Sequence, residues 1–486
     1  MLKKYFIYFI ILLAGALRLA ALLKYGDFWT DEMFSFTYSQ KSWIPSLTQF
    51  WIWETNPPLH MVFLKLWFYI FPANEFWARL PSVIFGTLNV WLIYILSKKY
   101  FSERAALLSS LALAISSYHI FFSATARGYS LLALLATLSF YLTLEIFYQK
   151  RASAYLPIAY ALTQILFLYT HLTAGIIIAG EFLLVCLWNK NDWKKWLKYN
   201  LISGTIWLIW AIPAGRAKIV NERFGQSWFL NLQNSWLAKF EQLKLIVTGP
   251  TDNLYAALIT GTLLIALIYY FYHLKKKNNG NILFFFATLL TTLPIITAIF
   301  LQTFNIKFIF VALPFLTLVI AFLADVYLKK WGIILILLVC LPGNYNLISN
   351  ILPINDWKSL DTYMQSRYQP EKRQLLIYTN FTIKNELDRY YSVPVATLPY
   401  TPVGTETNWD KFLINNNYVH LSQKEADIYT WIKTNRLEQY DKIFVLDGIF
   451  HHLDLPTILE KNGWHSAEPP ADLPILDDSQ VFHYTK

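Results

Sequence analysis

The chain has 486 residues, 56% hydrophobic, 18% aromatic and only 15% charged, against a usual charged share of roughly 25%. Apolar runs long enough to cross a bilayer replace the prior of several soluble domains with one large membrane domain and a remainder. The formal charge of +10 does not point to nucleic acid, because the basic residues recur at the ends of apolar runs and not along one continuous patch.

The first stretch, 1–23, has Lys3 and Lys4 ahead of a long apolar run. A cleaved signal peptide is the competing reading, but the length of the run and Arg18 inside it favour a retained span. Directly after it comes DFWTDEMFSFTYSQKSWIPSLTQFWIWETNPPLH, residues 27–60, with the adjacent acids Asp31 and Glu32, many aromatics and a rigid Asn56-Pro57-Pro58 corner. Its placement sets carboxylates at the rim of a membrane. Neighbouring side chains diverge by about 100° on a helix, so the two acids serve different partners. That suits one acid with an assistant better than the facing carboxylate pair of a glycoside hydrolase.

Further spans are expected near 79–96, 105–122, 129–148, 154–169, 173–188, 201–214, 254–272, 282–301, 308–328 and 331–348, eleven with the first. The apolar run 59–71 is short for a crossing. If it lies in the interface, one side of the membrane receives Lys98, Lys99, Arg104, Lys150, Arg151, Lys190, Lys194, Lys195, Lys198, Lys275 to Lys277, Lys329 and Lys330, and the short loops opposite hold little beyond Arg127 and Lys307. That segregation places the N-terminus in the cytoplasm of a multi-pass protein of the inner (plasma) membrane. Asp31, Glu32, His60, Arg127, His171 and the C-terminal tail then share the periplasmic or extracellular side, with the outer loops 24–78 and 215–253.

From about 352 the composition turns soluble. Strand-like runs 374–379 and 442–446 alternate with helix-like stretches 357–367 and 422–435. The expected architecture is a polytopic α-helical membrane domain, 1–350, followed by a small extracytoplasmic α/β domain, 351–486. The tail has no Gly-rich phosphate loop, zinc spacing or nucleophile elbow. Cys186 and Cys340 lie inside apolar runs, which argues against a disulfide framework.

On the outer side, Asp31 has the chemistry of a general base that takes the proton of an attacking hydroxyl. A departing phosphate needs positive charge opposite it. Arg127, in Thr125-Ala126-Arg127-Gly128-Tyr129, offers a planar fork for one, or else snorkels to headgroups. Lys307, Arg216 and Arg223 are weaker phosphate candidates. His60, His171 and Tyr129 are candidates for substrate or metal contact. No helical metal-ligand spacing commits the chain to a cofactor, and a divalent metal stays an open option.

Taken together these residues resemble the GT-C class of integral-membrane glycosyltransferases, in particular the bacterial family related to protein O-mannosyltransferases and aminoarabinose transferases. The ordered pieces are a first span ending near Arg18, Phe28-Trp29-Thr30-Asp31-Glu32, Asn56-Pro57-Pro58-Leu59-His60, Arg79-Leu80-Pro81-Ser82, Ala126-Arg127-Gly128-Tyr129, and Lys307-Phe308 with Leu313-Pro314. They cover about the first 330 residues. The resemblance implies a polyprenyl-phosphate-linked sugar donor, inversion at the anomeric carbon, and transfer to a glycan, lipid or protein acceptor outside the cytoplasm. It implies Asp31 as the catalytic acid group with Glu32 as its acceptor-side neighbour, and Arg127 on the donor phosphate. Two positions depart from the family: His-Pro-Pro-Leu is Asn-Pro-Pro-Leu here, and the late Arg-Tyr pair is Lys307-Phe308.

The rival class is a lipid or solute transporter or flippase, for which ionisable groups near the bilayer midplane and two related halves are expected. Here the polar residues gather at one rim and no second half repeats the first. A membrane scaffold whose outer domain is the working part would leave Asp31 and Arg127 dispensable.

Overall fold

A computed structural model describes residues 2–48, 54, 56–151, 153–188, 190–220, 236–272, 279–301, 305–351, 356–378, 383–399, 432–447, 459–466 and 480–485. The chain divides into two compact units. One comprises Met1–Lys24, Tyr38–Lys218 and Phe224–Leu352, the other chiefly Tyr25–Thr37 and Pro353–Lys486. The segment that carries the adjacent acids thus belongs with the C-terminal unit.

The first unit is helical. After α1 (Leu2–Lys24), α2 (Thr30–Gln40), which starts in the other unit, and α3 (Trp43–Thr48) comes α4 (Leu59–Trp67). Its nine residues span only about 14 Å, too short to cross, as the charge pattern requires of this run. The long helix α5 (Glu75–Tyr100) opens on Asn74, whose side chain accepts the Trp77 amide at 3.1 Å, and has Glu75 in its first turn and Lys98 and Lys99 in its last. Those charges complement the helix dipole.

Next come α6 (Glu103–Ala114) and α7 (Ser117–Ser123), bent by 59° relative to each other. The span expected over 105–122 falls on this bent pair of helices. A break strands carbonyls without intrahelical partners, and the buried Arg18 supplies the donors. Its Nη1 bonds the carbonyl of Ala114 at 3.0 Å, its Nη2 that of Leu113 at 3.0 Å, and Nη2 also lies 2.7 Å from His119 Nδ1. Gly86 on α5 lets the bend pack closely, since a Cβ there would sit 2.1 Å from Ser123 Oγ.

The remaining helices are α8 (Tyr129–Thr143), continued by a π-turn Leu144–Tyr148, α9 (Tyr155–Thr170), α10 (Ala174–Trp188), α11 (Trp193–Val220), α12 (Trp236–Val247), α13 (Asn253–Tyr272), α14 (Asn279–Phe300), α15 (Ile306–Ile309), α16 (Leu313–Leu323) and α17 (Gly332–Asn346). Each expected span falls on a helix or a run of helices. Among the described residues six segments are long and apolar enough to cross a membrane, seven if the bent pair is one span; α9 and α10 are apolar but shorter. One of the six, Ile306–Ser349, has 44 residues, about 66 Å if straight and twice a bilayer core. It covers two expected spans, and Lys329, with φ 51°, interrupts it between them.

α8 and its π-turn run from one polar rim to another, about 30 Å for twenty residues. At the far end Glu145 pairs with Lys99, accepts from Tyr100 Oη at 2.5 Å and meets Arg151 at 3.4 Å, while Arg104 pairs with Asp325 at 2.9 Å. Between the rims, the buried Glu181 accepts from Ser139 at 2.6 Å and Gln164 at 3.1 Å, so this carboxylate is held by side chains of the bundle.

The second unit holds a five-stranded mixed sheet. Its strands are β1 (Gln374–Tyr378), β2 (Ala396–Pro399), β3 (Lys442–Asp447), β4 (His465–Ser466) and β5 (Gln480–Thr485), in the order β2-β1-β3-β5-β4. β1 pairs in parallel with β2 and β3, and β5 pairs antiparallel with β3 and β4. The interior strand β1 is buried along its whole length, as a parallel strand covered on both faces requires. The sheet is accompanied by α18 (Trp357–Arg367) and α19 (Ile383–Tyr390). Of the helix expected at 422–435 only the end is described, helical over 432–434.

Candidate functional site

In the first unit the site forms where α7 turns into α8. Ser82 Oγ donates to the Arg127 carbonyl at 3.3 Å, which ties the turn to α5. Gly128 follows, and a Cβ there would stand 3.3 Å from both His60 Cβ and Thr170 Cγ2, so the glycine admits a close approach of α4 and α9. The Arg127 guanidinium points at Glu54, with Nη1 2.9 Å from Oε2 and both side chains 9% exposed. Glu54 in turn accepts from the backbone and side-chain amides of Asn56, each at 3.1 Å. The Asn-Pro-Pro corner therefore orients the carboxylate that faces Arg127.

Two histidines complete this cluster. His60 is buried in the first turn of α4, and its Nε2 has no hydrogen-bond partner among the described residues. Burial and the Arg127 charge push its pKa down to about 3, with Glu54 opposing. His171 ends α9 in extended backbone; the Thr173 amide donates to its Nδ1 at 3.2 Å, which leaves a neutral ring's proton on Nε2. Burial lowers His171 to about 4, with Glu54 opposing and Arg127 assisting. Tyr129 and Phe308 flank its ring at centroid distances of 6.0 and 6.1 Å. At neutral pH both imidazoles are uncharged, so they present donors and acceptors beside one guanidinium.

The structure thus brings together Arg127, His60, His171 and Tyr129 of the expected residues. Lys307 sits next to Phe308 in the short α15, half-buried, its backbone amide donating to the Asn305 side chain at 2.9 Å. Arg216 is exposed on α11, and no described contact joins it to the cluster. Arg223 lies outside the described residues. Sequence reasoning missed Glu54, whose only signal is a carboxylate two residues ahead of the Asn-Pro-Pro corner.

In the second unit the adjacent acids occupy the first turn of α2, where the helix dipole favours negative charge. They diverge as neighbouring helical side chains must. Glu32 is fully buried and accepts the Trp29 amide at 3.3 Å, closing the helix start, whereas Asp31 is half-buried. Beside Thr30 and Asp31 lies Glu386 of α19, also fully buried. Burial, reinforced by the Asp31 charge, raises its carboxyl to about 8, so at neutral pH Glu386 is largely protonated and adds little negative charge beside Asp31. Among the described residues no three His, Cys, Asp or Glu side chains converge as a metal-holding group.

Residues 55–215 match the family model described as dolichyl-phosphate-mannose-protein mannosyltransferase. That stretch contains His60, Arg127, Tyr129 and His171; Asp31, Glu32 and Glu54 precede it. No curated protein matches the chain. Among solved structures it is similar to the Archaeoglobus fulgidus oligosaccharyltransferase in the apo form, with 11% identity over 99% of this chain and 76% of that one and a TM-score of 0.56. It is also similar to AglB of the same archaeon in complex with an inhibitory peptide and a dolichol-phosphate, with 10% identity, the same coverage and a TM-score of 0.52. ArnT from Cupriavidus metallidurans bound to undecaprenyl phosphate matches at 13% identity over 98% of this chain and 97% of that one, with a TM-score of 0.48. The chain is a multi-pass membrane protein with the GT-C fold and a small C-terminal α/β domain.

Proposed function

We propose that the chain is an inverting glycosyltransferase that moves a sugar from a polyprenyl-phosphate donor to a hydroxyl of a glycan, lipid or protein on the outer face of the inner membrane. Asp31 takes the proton of the acceptor hydroxyl as its oxygen attacks the anomeric carbon. The new C–O bond forms opposite the bond to the phosphate oxygen, which breaks with its electron pair to release polyprenyl phosphate. Arg127 holds that phosphate, and the charge developing on the leaving oxygen meets a donor already in place. The neutral His60 and His171 add hydrogen bonds to the phosphate or sugar, and Lys307 adds charge nearby.

The observation that carries this reading is the buried Arg127, paired with a carboxylate at the end of a span and neighboured by two uncharged imidazoles. A guanidinium that only snorkelled to headgroups would not be nine-tenths buried against an oriented acid. The binding of dolichol-phosphate by an archaeal protein of the same fold supports the class of donor.

The test is transfer in proteoliposomes from a panel of undecaprenyl-phosphate-linked hexoses and pentoses. Consumption of one donor, with free undecaprenyl phosphate as product, is the expected result. Translocation of the lipids without cleavage would replace this reading with the transporter one.

A further inference from the structure

The segment Tyr25–Thr37 carries Asp31 and joins an irregular stretch, 25–29, to the first turns of α2. Before α2 begins it has no regular helix or strand beyond an isolated bridge, and it turns at Gly26 with φ 85°. The C-terminal domain grips it at several points. Asp27, 5% exposed, accepts the Lys358 amide at 3.0 Å on one oxygen and pairs with the Lys358 ammonium on the other. The Phe28 amide donates to Tyr390 Oη at 3.1 Å. The Arg389 guanidinium lies 5.3 Å from the ring centre of Phe28 and 4.5 Å from that of Phe36, so it bridges residues on either side of Asp31. Glu386, one turn before Tyr390, closes the set beside Thr30 and Asp31.

We propose that α18 and α19 of the C-terminal domain are the mount of the catalytic base, with Lys358 and Arg389 as positioning residues for Asp31. This inference rests on the reading of Asp31 as the base. It gives the domain a part in the reaction itself, separate from any choice of acceptor. Both residues grip the segment at points other than Asp31, through an ion pair and a stacked cation, and neither is assigned any contact with donor or acceptor. Losing the grip loosens where the carboxylate stands and leaves its chemistry unaltered. A misplacement of about 1 Å costs up to roughly 100-fold in rate.

The test compares the full-length wild-type protein with Lys358→Met, Arg389→Met, the double variant and Lys358→Arg in two measurements. The first is hydrogen exchange of peptides covering 25–37, which needs no substrate. The second is steady-state transfer from whichever undecaprenyl-phosphate-linked sugar of the panel the wild type consumes. The expected result is faster exchange in 25–37, confined to the Met variants, with turnover down tenfold or more in the double variant and the donor KM unchanged. Lys358→Arg, which keeps the ion pair, stays near wild type. Unchanged exchange overturns the proposal, and so does faster exchange with undiminished turnover. Asp31→Asn as an internal control separates the two claims. If that variant turns over like wild type, the reading of Asp31 falls; if it is inactive while the Met variants are fully active, only the mount falls.

Discussion

Arg127 and Glu54 form an ion pair of 2.9 Å in which each side chain is 9% exposed. A buried pair of this kind is costly to break from one side, about 3 to 5 kcal/mol when a partner is left charged and alone. In the function proposed for the chain, the donor phosphate and Glu54 are rivals for one guanidinium. Glu54→Gln should lower the thermal midpoint of the empty protein yet enlarge the upward shift produced by undecaprenyl phosphate. Arg127→Gln should abolish that shift. Equal shifts in wild type and Arg127→Gln would remove Arg127 from the donor site.

The two histidines give the cluster an acid limit. Their folded pKa values, about 3 for His60 and about 4 for His171, lie below the ordinary value near 6.5. The unfolded chain then binds more protons than the folded one as pH falls below about 6.5, so folding weakens by about 1.4 kcal/mol per pH unit per histidine down to the folded values. Thermal midpoints should fall between pH 6.5 and 4, and His171→Asn should make that fall shallower. An equal fall in the wild type and His171→Asn would contradict the burial of the His171 ring.

Glu386 has the opposite sign. Its folded pKa, raised to about 8 by burial and by Asp31, exceeds the ordinary carboxyl value, so its contribution is most favourable below about pH 4.5 and weakens as pH rises to 8. Glu386→Gln keeps the shape and removes the titration. The variant should unfold at a higher temperature than wild type at pH 8, by an amount corresponding to about 1 kcal/mol or more, and the gap should close toward pH 5. A gap that widened on acidification would contradict the assignment.

The broken helix depends on Arg18. Arg18→Met removes donors to the carbonyls of Leu113 and Ala114, each worth about 1 to 3 kcal/mol when left buried and unmade. The thermal midpoint should drop sharply, and Arg18→Lys should recover part of it. A neutral Arg18→Met would mean that the bend holds itself.

The membrane bundle was legible because a bilayer demands long apolar runs, and every expected span found a helix. The charge bias set 59–71 apart from the spans, and the helix there, Leu59–Trp67, is short. The bend between Ala114 and Ser117 was not legible, since its cause is a guanidinium nearly a hundred positions earlier in the chain. The Arg-Gly-Tyr turn stood out as a polar interruption between apolar runs, and His60, His171 and Tyr129 do gather there. Glu54 and Glu386 did not stand out. One is a lone acid among aromatics, and the other sits in the polar stretch Lys384-Asn385-Glu386-Leu387-Asp388-Arg389, which reads as a solvated helix until the fold buries one face of it.

The most direct test of the account is single-turnover transfer by Asp31→Asn, reconstituted beside wild type and shown to bind undecaprenyl phosphate equally well. The account predicts that the wild type releases undecaprenyl phosphate from its donor while Asp31→Asn retains the donor intact, at least 100-fold slower on the scale of a lost general base. Release at the wild-type rate by Asp31→Asn would contradict it.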